Sequence, residues 1–190
     1  MKKAIYYILI ALLLLTSAGC SGPSPDAAAK GFIDAMVKAD FATAAKYVGG
    51  NVDEMINAPD AEEAEQLIKA LFARVSYQIG DSKVTGNQAT VAAKITAPDL
   101  TVVTAKVILE VMPAAFALAF SGGGSEEQMN TLFIESFVTN INDAEAAMLT
   151  SEVTINLEKK DGSWIITPDD AFINALTGNL GTAWAELGDQ

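Results

Sequence analysis

The chain has no histidine and a single cysteine, Cys20, in 190 residues. Without histidine it lacks the usual general base near neutral pH, the commonest zinc ligand, and every Ser-His or Cys-His nucleophilic pair. A lone cysteine has no partner for an intrachain disulfide. Positive charge is scarce: 12 Lys and Arg stand against 24 Asp and Glu, a formal net charge of −12. That balance excludes nucleic acid as a partner, because phosphate backbones require a basic face. It equally excludes polybasic attachment to anionic lipid. The N-terminal apolar run, 4–15, is shorter than the ~20 residues that a bilayer span takes. No cofactor motif and no alternating acidic-plus-glycine calcium loop occurs, so no cofactor and no metal are expected.

What is present begins with an address. Lys2 and Lys3 precede the apolar run, and small residues follow it, ending at Gly19-Cys20. Charge, short apolar core and small-residue cleavage site are the layout of a secretory leader. Ser17-Ala18-Gly19-Cys20 resembles the lipobox of bacterial lipoproteins, with Ser17 where leucine is usual. The resemblance implies diacylation of the Cys20 sulfur with palmitate-type chains and cleavage before it. An ordinary secretory leader with an incidental cysteine is the alternative. The lipoprotein reading divides the chain into a signal peptide, 1–19, a lipid-anchored tether, 20–23, and one domain, 24–190. Loss of Lys2 and Lys3 with the leader makes the remainder still more acidic. The remainder is long enough for one sizeable core and too short for the two lobes of a transporter receptor.

Local signals alternate between helix and strand. Ser24-Pro25-Asp26 reads as a helix start, with Phe32, Ile33, Met36 and Val37 at helical spacing. Asp40 is placed to cap a second helix that Gly49-Gly50 stops. Pro59-Asp60 opens a third, with Ala64, Leu67, Ile68, Leu71 and Phe72 as its stripe. The period then becomes two: Val75, Tyr77 and Ile79, a turn at Gly86-Asn87, then Val91, Ala93 and Ile95. A second hairpin follows downstream, with Val153, Ile155 and Leu157, the turn Asp161-Gly162, then Trp164 and Ile166. Between the hairpins, Ser125 and Gln128 form a capping box before a helical run to Ile141. Thr167-Pro168-Asp169-Asp170 opens a last helix, broken at Gly178 and Gly181. These patterns give an α+β chain with antiparallel strands.

Residues 100–120 satisfy two readings. Alternation of Val103, Ala105, Val107, Leu109 and Val111 suits a strand. The Pro98-Asp99 start and the alanine-rich 114–120 suit a helix, which Pro113 would interrupt. Lys106, Glu110 and Pro113 argue against a membrane span.

Several segments carry a family resemblance: Lys30-Gly31-Phe32-Ile33-Asp34-Ala35-Met36, Ala39-Asp40-Phe41, Asp161-Gly162-Ser163-Trp164-Ile165-Ile166, and Asp169 through Gly178. The chain resembles small lipoproteins of Gram-positive type, largely of unknown function. Their domain is similar to the nuclear-transport-factor-two-like, or cystatin-like, fold. The resemblance implies a helical layer packed on a curved antiparallel sheet in a cone, a helical insertion that includes 100–120, and a single membrane. In that fold the open end of the cone often holds a pocket, used by some members for isomerase or dehydratase chemistry and by many only for binding.

Candidate sites follow from these readings. Asp34, Tyr77 and Asn156 are the residues to test for proton transfer in a pocket, since burial raises a carboxyl pKa toward a useful range; the alternative places Asp34 on a wet helix face and Tyr77 in the core. Glu62-Glu63-Glu65 and Glu126-Glu127 read as helix-start acids. Met112, Phe116 and Phe120 lie in a stretch apolar on nearly every side, which is either buried core or the cover of an apolar pocket or partner patch, with Gly122-Gly123-Gly124 as hinge. Trp184 raises the same question. The expectation is a lipid-anchored, extracytoplasmic, non-catalytic module that binds a protein partner or apolar ligand. The alternative is a cavity enzyme of isomerase or dehydratase type using a buried carboxylate.

Overall fold

The computed structural model describes residues 22–49, 61–121 and 125–183. Two helices come first, α1 (Pro25–Val37) and α2 (Phe41–Val48), then α3 (Ala61–Ala73). The hairpin β1 (Ser76–Thr85) and β2 (Gln88–Pro98) leads into a helical pair, α4 (Leu100–Ser121) and α5 (Glu126–Asn142). The second hairpin, β3 (Met148–Lys160) and β4 (Ser163–Ile166), precedes α6 (Asp170–Leu176). The four strands form one antiparallel sheet in the order β1-β2-β3-β4. The fold is therefore α+β, with helices on one face of an open curved sheet and the α4–α5 pair inserted between the hairpins.

Both turns obey their local chemistry. Gly86 has φ +62, and Asp161 and Gly162 have φ +49 and +83. Positive φ at both Asp161 and Gly162, and at the first central residue, Gly86, of the other turn, matches the right-handed twist of the strands that a two-residue turn joins. In β2, Ala89, Val91, Ala93, Ile95 and Ala97 are all buried on the helix side. Small alanines between branched residues leave room for Ala28, Ala29 and Phe32 of α1, which share their core cluster. Phe32 meets Phe172 of α6 with ring centroids 5.9 Å apart. Gly31 allows the close approach of α2, because a Cβ there would overlap the Tyr47 ring. A bulge between Ile79 and Ser82 shifts the β1 register and brings Gly80 over Ala92.

A second core lies among α3, α4 and α5. Leu71, Leu100, Val103, Val107, Val111 and Ile141 are its buried members. Helix α3 serves both cores, giving Phe72 to the sheet and Leu71 to the helical pair. Arg74, the one arginine of the chain, donates to the carbonyls of Asn142 and Asp143 at 3.1 and 2.9 Å. It thus satisfies carbonyls left unpaired at the end of α5.

Several expectations change in detail. Ser24 occupies the N-cap of α1, yet its side chain makes no cap hydrogen bond; Pro25 has no N–H at the first position, so less remains to be capped. The strand reading of 100–111 fails, because burial there recurs every three or four residues. Pro113 lies inside α4. The carbonyl it leaves without a helical donor is that of Leu109, on a solvent-facing side where water can satisfy it. Gly181 does not break the chain's last turns, since 180–183 are helical. The Pro59-Asp60 start lies outside the described residues. The stretch Leu100–Leu118 is long and apolar enough to cross a membrane by length and composition. Of that stretch 28% is buried, on the side where Leu100, Val103, Val107 and Val111 pack among α3 and α5.

Candidate functional site

Helix α4 carries two apolar stripes. Leu100, Val103, Val107 and Val111 form the buried one. On the opposite side stand Val102, Leu109, Met112, Phe116 and Phe120, with Leu109 77%, Phe116 55% and Phe120 89% exposed. At 3.6 residues per turn these five positions, with Ala105, fall within an arc of roughly 100°. The two stripes cancel in any one-sided measure of amphipathicity, so the helix looks apolar all round. An exposed apolar row of this length is what soluble surfaces avoid outside interaction sites. Spacing of three and four across 102, 105, 109, 112 and 116 was the signal that could have added Val102 and Leu109 to the candidates.

Met112, Phe116 and Phe120 therefore share one face of α4 and stand exposed. Beneath α4 the packing is direct, with Val107 fully buried against its neighbours. A broad open groove of about 1100 Å³ does run between α4 and α5, but Ala114, Ala117, Leu118, Thr131 and Leu132 line it, not those three residues. Cys20, Trp184 and the glycines 122–124 lie outside the described residues.

Inside the helical pair, one polar contact is buried. Asn140 is only 4% exposed, and its amide donates to Glu110 Oε2 at 2.8 Å and to the Ser136 carbonyl at 2.9 Å. Lys106 on α4 pairs with Asp143 at the end of α5, 3.4 Å away. These polar links hold α4 against α5 on the flank that separates the two stripes.

Asp34 and Tyr77 do meet. The Tyr77 hydroxyl donates to Asp34 Oδ1, and Lys30 Nζ donates to Asp34 Oδ2 at 2.6 Å and to the Tyr77 oxygen at 3.3 Å. Lys30 and Asp34 are one helical turn apart on α1, and Tyr77 reaches them from the edge strand. The Lys30 ammonium, followed by the Tyr77 hydroxyl, holds the Asp34 carboxyl below its ordinary 3.8. Burial, helped by Asp34, pushes the Tyr77 phenol up from 10.0. A carboxylate so stabilised is a poor proton acceptor near neutral pH. The trio thus ties α1 to β1. Asn156 is not part of it: its amide donates to Asp169 Oδ2 at 2.9 Å, and Asp169 Oδ1 caps α6 through the Phe172 N–H at 2.9 Å. Among the described residues, no three acidic side chains gather as a metal-holding group.

No family model matches the chain, and no curated protein matches it. A solved structure does. The crystal structure of YcdA, a candidate lipoprotein of Bacillus subtilis, superposes with a TM-score of 0.54 at 16% identity, over 87% of this chain and 55% of that one. The chain thus spans about half the length of that protein. At this identity the likeness concerns the fold.

Proposed function

We propose that the protein is a lipid-anchored lipoprotein on the extracytoplasmic face of the cell membrane, acting as a non-catalytic protein-interaction module. The exposed row Leu109, Met112, Phe116 and Phe120 on α4 is the observation that carries the interaction half of this reading. Ser17-Ala18-Gly19-Cys20 carries the anchor half, and the structural likeness to a candidate lipoprotein is in keeping with it. Two acyl chains on Cys20 would hold the domain firmly, since each buried methylene contributes about 0.8 kcal/mol.

The reading also orients the domain. Gly22 lies against Gly162 and Ser163, at the β3–β4 turn. Helix α4 starts at the other end of the sheet, where Pro98 pairs with Met148. Strand β3 runs between the two ends, and its 13 residues extend over about 40 Å at 3.3 Å each. Gly22 then meets the sheet at one end, and α4 starts at the other.

Fractionation tests the anchor. Cys20→Ala should move the protein from membrane to soluble fraction and abolish incorporation of labelled fatty acid, with the fold intact by circular dichroism. Wild-type protein that takes up no fatty acid would refute it. Photocrosslinking from Leu109 in intact cells tests the interaction half; a stripe that yields no protein adduct refutes that.

A further inference from the structure

The groove between α4 and α5 differs in charge from the rest of the molecule. No Lys or Arg occurs between Lys106 and Lys159 in the sequence. The distal part of the helical pair therefore carries no positive charge. Ala114, Ala117, Leu118 and Leu132 give the groove an apolar floor, and Glu127 and Glu135 stand on its α5 wall. Glu127, Thr131 and Glu135 are spaced by four, so they follow one line along that wall. The ion pairs among the described residues join Lys30 to Asp34, Lys69 to Glu65, Lys106 to Asp143 and Lys160 to Glu158; none engages Glu127 or Glu135.

The end of the groove is not an anion site. Ser125 Oγ accepts the Gln128 N–H and Gln128 Oε1 accepts the Ser125 N–H, at 3.2 and 3.1 Å, so the first turn of α5 is already capped. On the α4 side, Phe120 lies one turn beyond Ala117 and is exposed. The apolar floor therefore continues around α4 into the exposed stripe. A surface with an apolar floor, an aromatic rim and one wall of unpaired carboxylates is complementary to one kind of occupant.

We propose that this groove seats a cationic amphipathic segment of a partner protein, its apolar side on Ala117, Leu118 and Phe120 and its Lys or Arg side chains over Glu127 and Glu135. A second copy of this acidic chain is a poor occupant, because its own distal helices bring carboxylates against carboxylates. An anionic lipid surface is disfavoured for the same reason. The proposal rests on the protein-interaction reading and adds the chemistry of the partner.

The test uses the full chain in its own membrane. A photocrosslinking amino acid is placed at Ala117 or Thr131 in the groove, and separately at Leu109 on the stripe. Adducts are mapped to peptide segments by mass spectrometry. The expected result is a groove adduct whose captured segment is amphipathic and net positive. Its yield should fall by about tenfold in Glu127→Lys/Glu135→Lys, where like charges now face each other. It should fall less in Glu127→Gln/Glu135→Gln, and it should weaken as salt approaches 1 M, where the screening length is about 3 Å. A groove adduct with a neutral or acidic segment, with lipid, or with a second copy overturns the cationic partner, as does a yield indifferent to charge reversal. In those cases a protein adduct from Leu109 leaves the interaction reading standing. No protein adduct from any of the three positions overturns both.

Discussion

The Leu100 N–H donates to the Gly178 carbonyl at 2.9 Å, joining the first residue of α4 to the turn that follows α6. Gly178 has φ +58, and a Cβ built on it would overlap the Pro98 carbonyl oxygen. The turn after α6, the end of β2 and the start of α4 meet at this one point. Gly178→Ala should therefore cost at least about 2 kcal/mol, from the left-handed backbone and from overlap with rigid backbone. Gly86 has φ +62 but nothing within 4 Å of a Cβ, so Gly86→Ala should cost only about 1 kcal/mol. Urea unfolding of the two variants checks the difference; equal costs would show that the Pro98 contact is unimportant.

Glu110 and Asn140 should behave as a unit. Removing the carboxylate alone, in Glu110→Leu, leaves the buried Asn140 amide with the Ser136 carbonyl as its remaining strong acceptor. The expected loss is about 1–2 kcal/mol. Pairing it with Asn140→Leu removes both polar partners, and the double variant should be more stable than the sum of the singles predicts. A double-mutant cycle by chemical denaturation measures this coupling, and strict additivity would contradict it.

The two stripes of α4 should separate function from stability. Phe116→Ser and Leu109→Ser change exposed positions and should alter stability by no more than about 0.5 kcal/mol. Ile141→Ala, in the same helical pair but fully buried, should cost about 2–5 kcal/mol. Only the first two should reduce crosslinking from Ala105 without lowering the thermal midpoint. A large stability loss in Phe116→Ser would mean that this side chain is part of the core.

Stability should fall at both ends of the pH scale for opposite reasons. Asp34 is lowered by Lys30 and Tyr77, Asp40 by hydrogen bonds from Thr43, and Asp143 by the Glu145 N–H and Lys106, each below its ordinary 3.8. A carboxyl lowered on folding contributes stability above its unfolded value, and that contribution is lost as pH falls through the folded value. The acid limb should therefore lie below pH 3.8. Tyr77 is raised from 10.0, chiefly by burial, and Lys30 from 10.5 by its hydrogen bonds to Asp34 and Tyr77. Groups raised on folding contribute below their unfolded values and lose that contribution as pH rises through the folded ones. Asp34→Asn should flatten both limbs in a series of denaturation curves against pH. An unchanged alkaline limb would show that the trio does not couple Tyr77 to Asp34.

Much of the scaffold was legible without coordinates, because it rests on local chemistry. Asp40 and Asp169 cap their helices by accepting the Thr43 and Phe172 N–H groups at 3.0 and 2.9 Å. The Ser125–Gln128 box is formed in full. Asp161-Gly162 turns a hairpin because both residues take positive φ. Such features depend on a few neighbouring residues, so sequence order suffices to find them.

The site was less legible, because long-range packing assigns its faces. Residues 100–111 alternate well enough for a strand, while the Pro98-Asp99 start suits a helix, and contact with α3 and α5 goes with the helical period that buries Val103, Val107 and Val111. In a helix apolar on two sides, nothing in its own sequence says which side is core. Asp34 and Tyr77 were singled out by residue type; the fold brings them together with Lys30, which the sequence alone did not add to them.

The sequence by itself determined the caps at Asp40, Ser125 and Asp169, the two hairpin turns and the acidic balance, since each is set by the chain's own residues. Only the tertiary structure decided that Leu109, Met112, Phe116 and Phe120 face outward. The physical reason is that α3 and α5 cover one side of α4, burying Val103, Val107 and Val111, while both sides carry apolar residues.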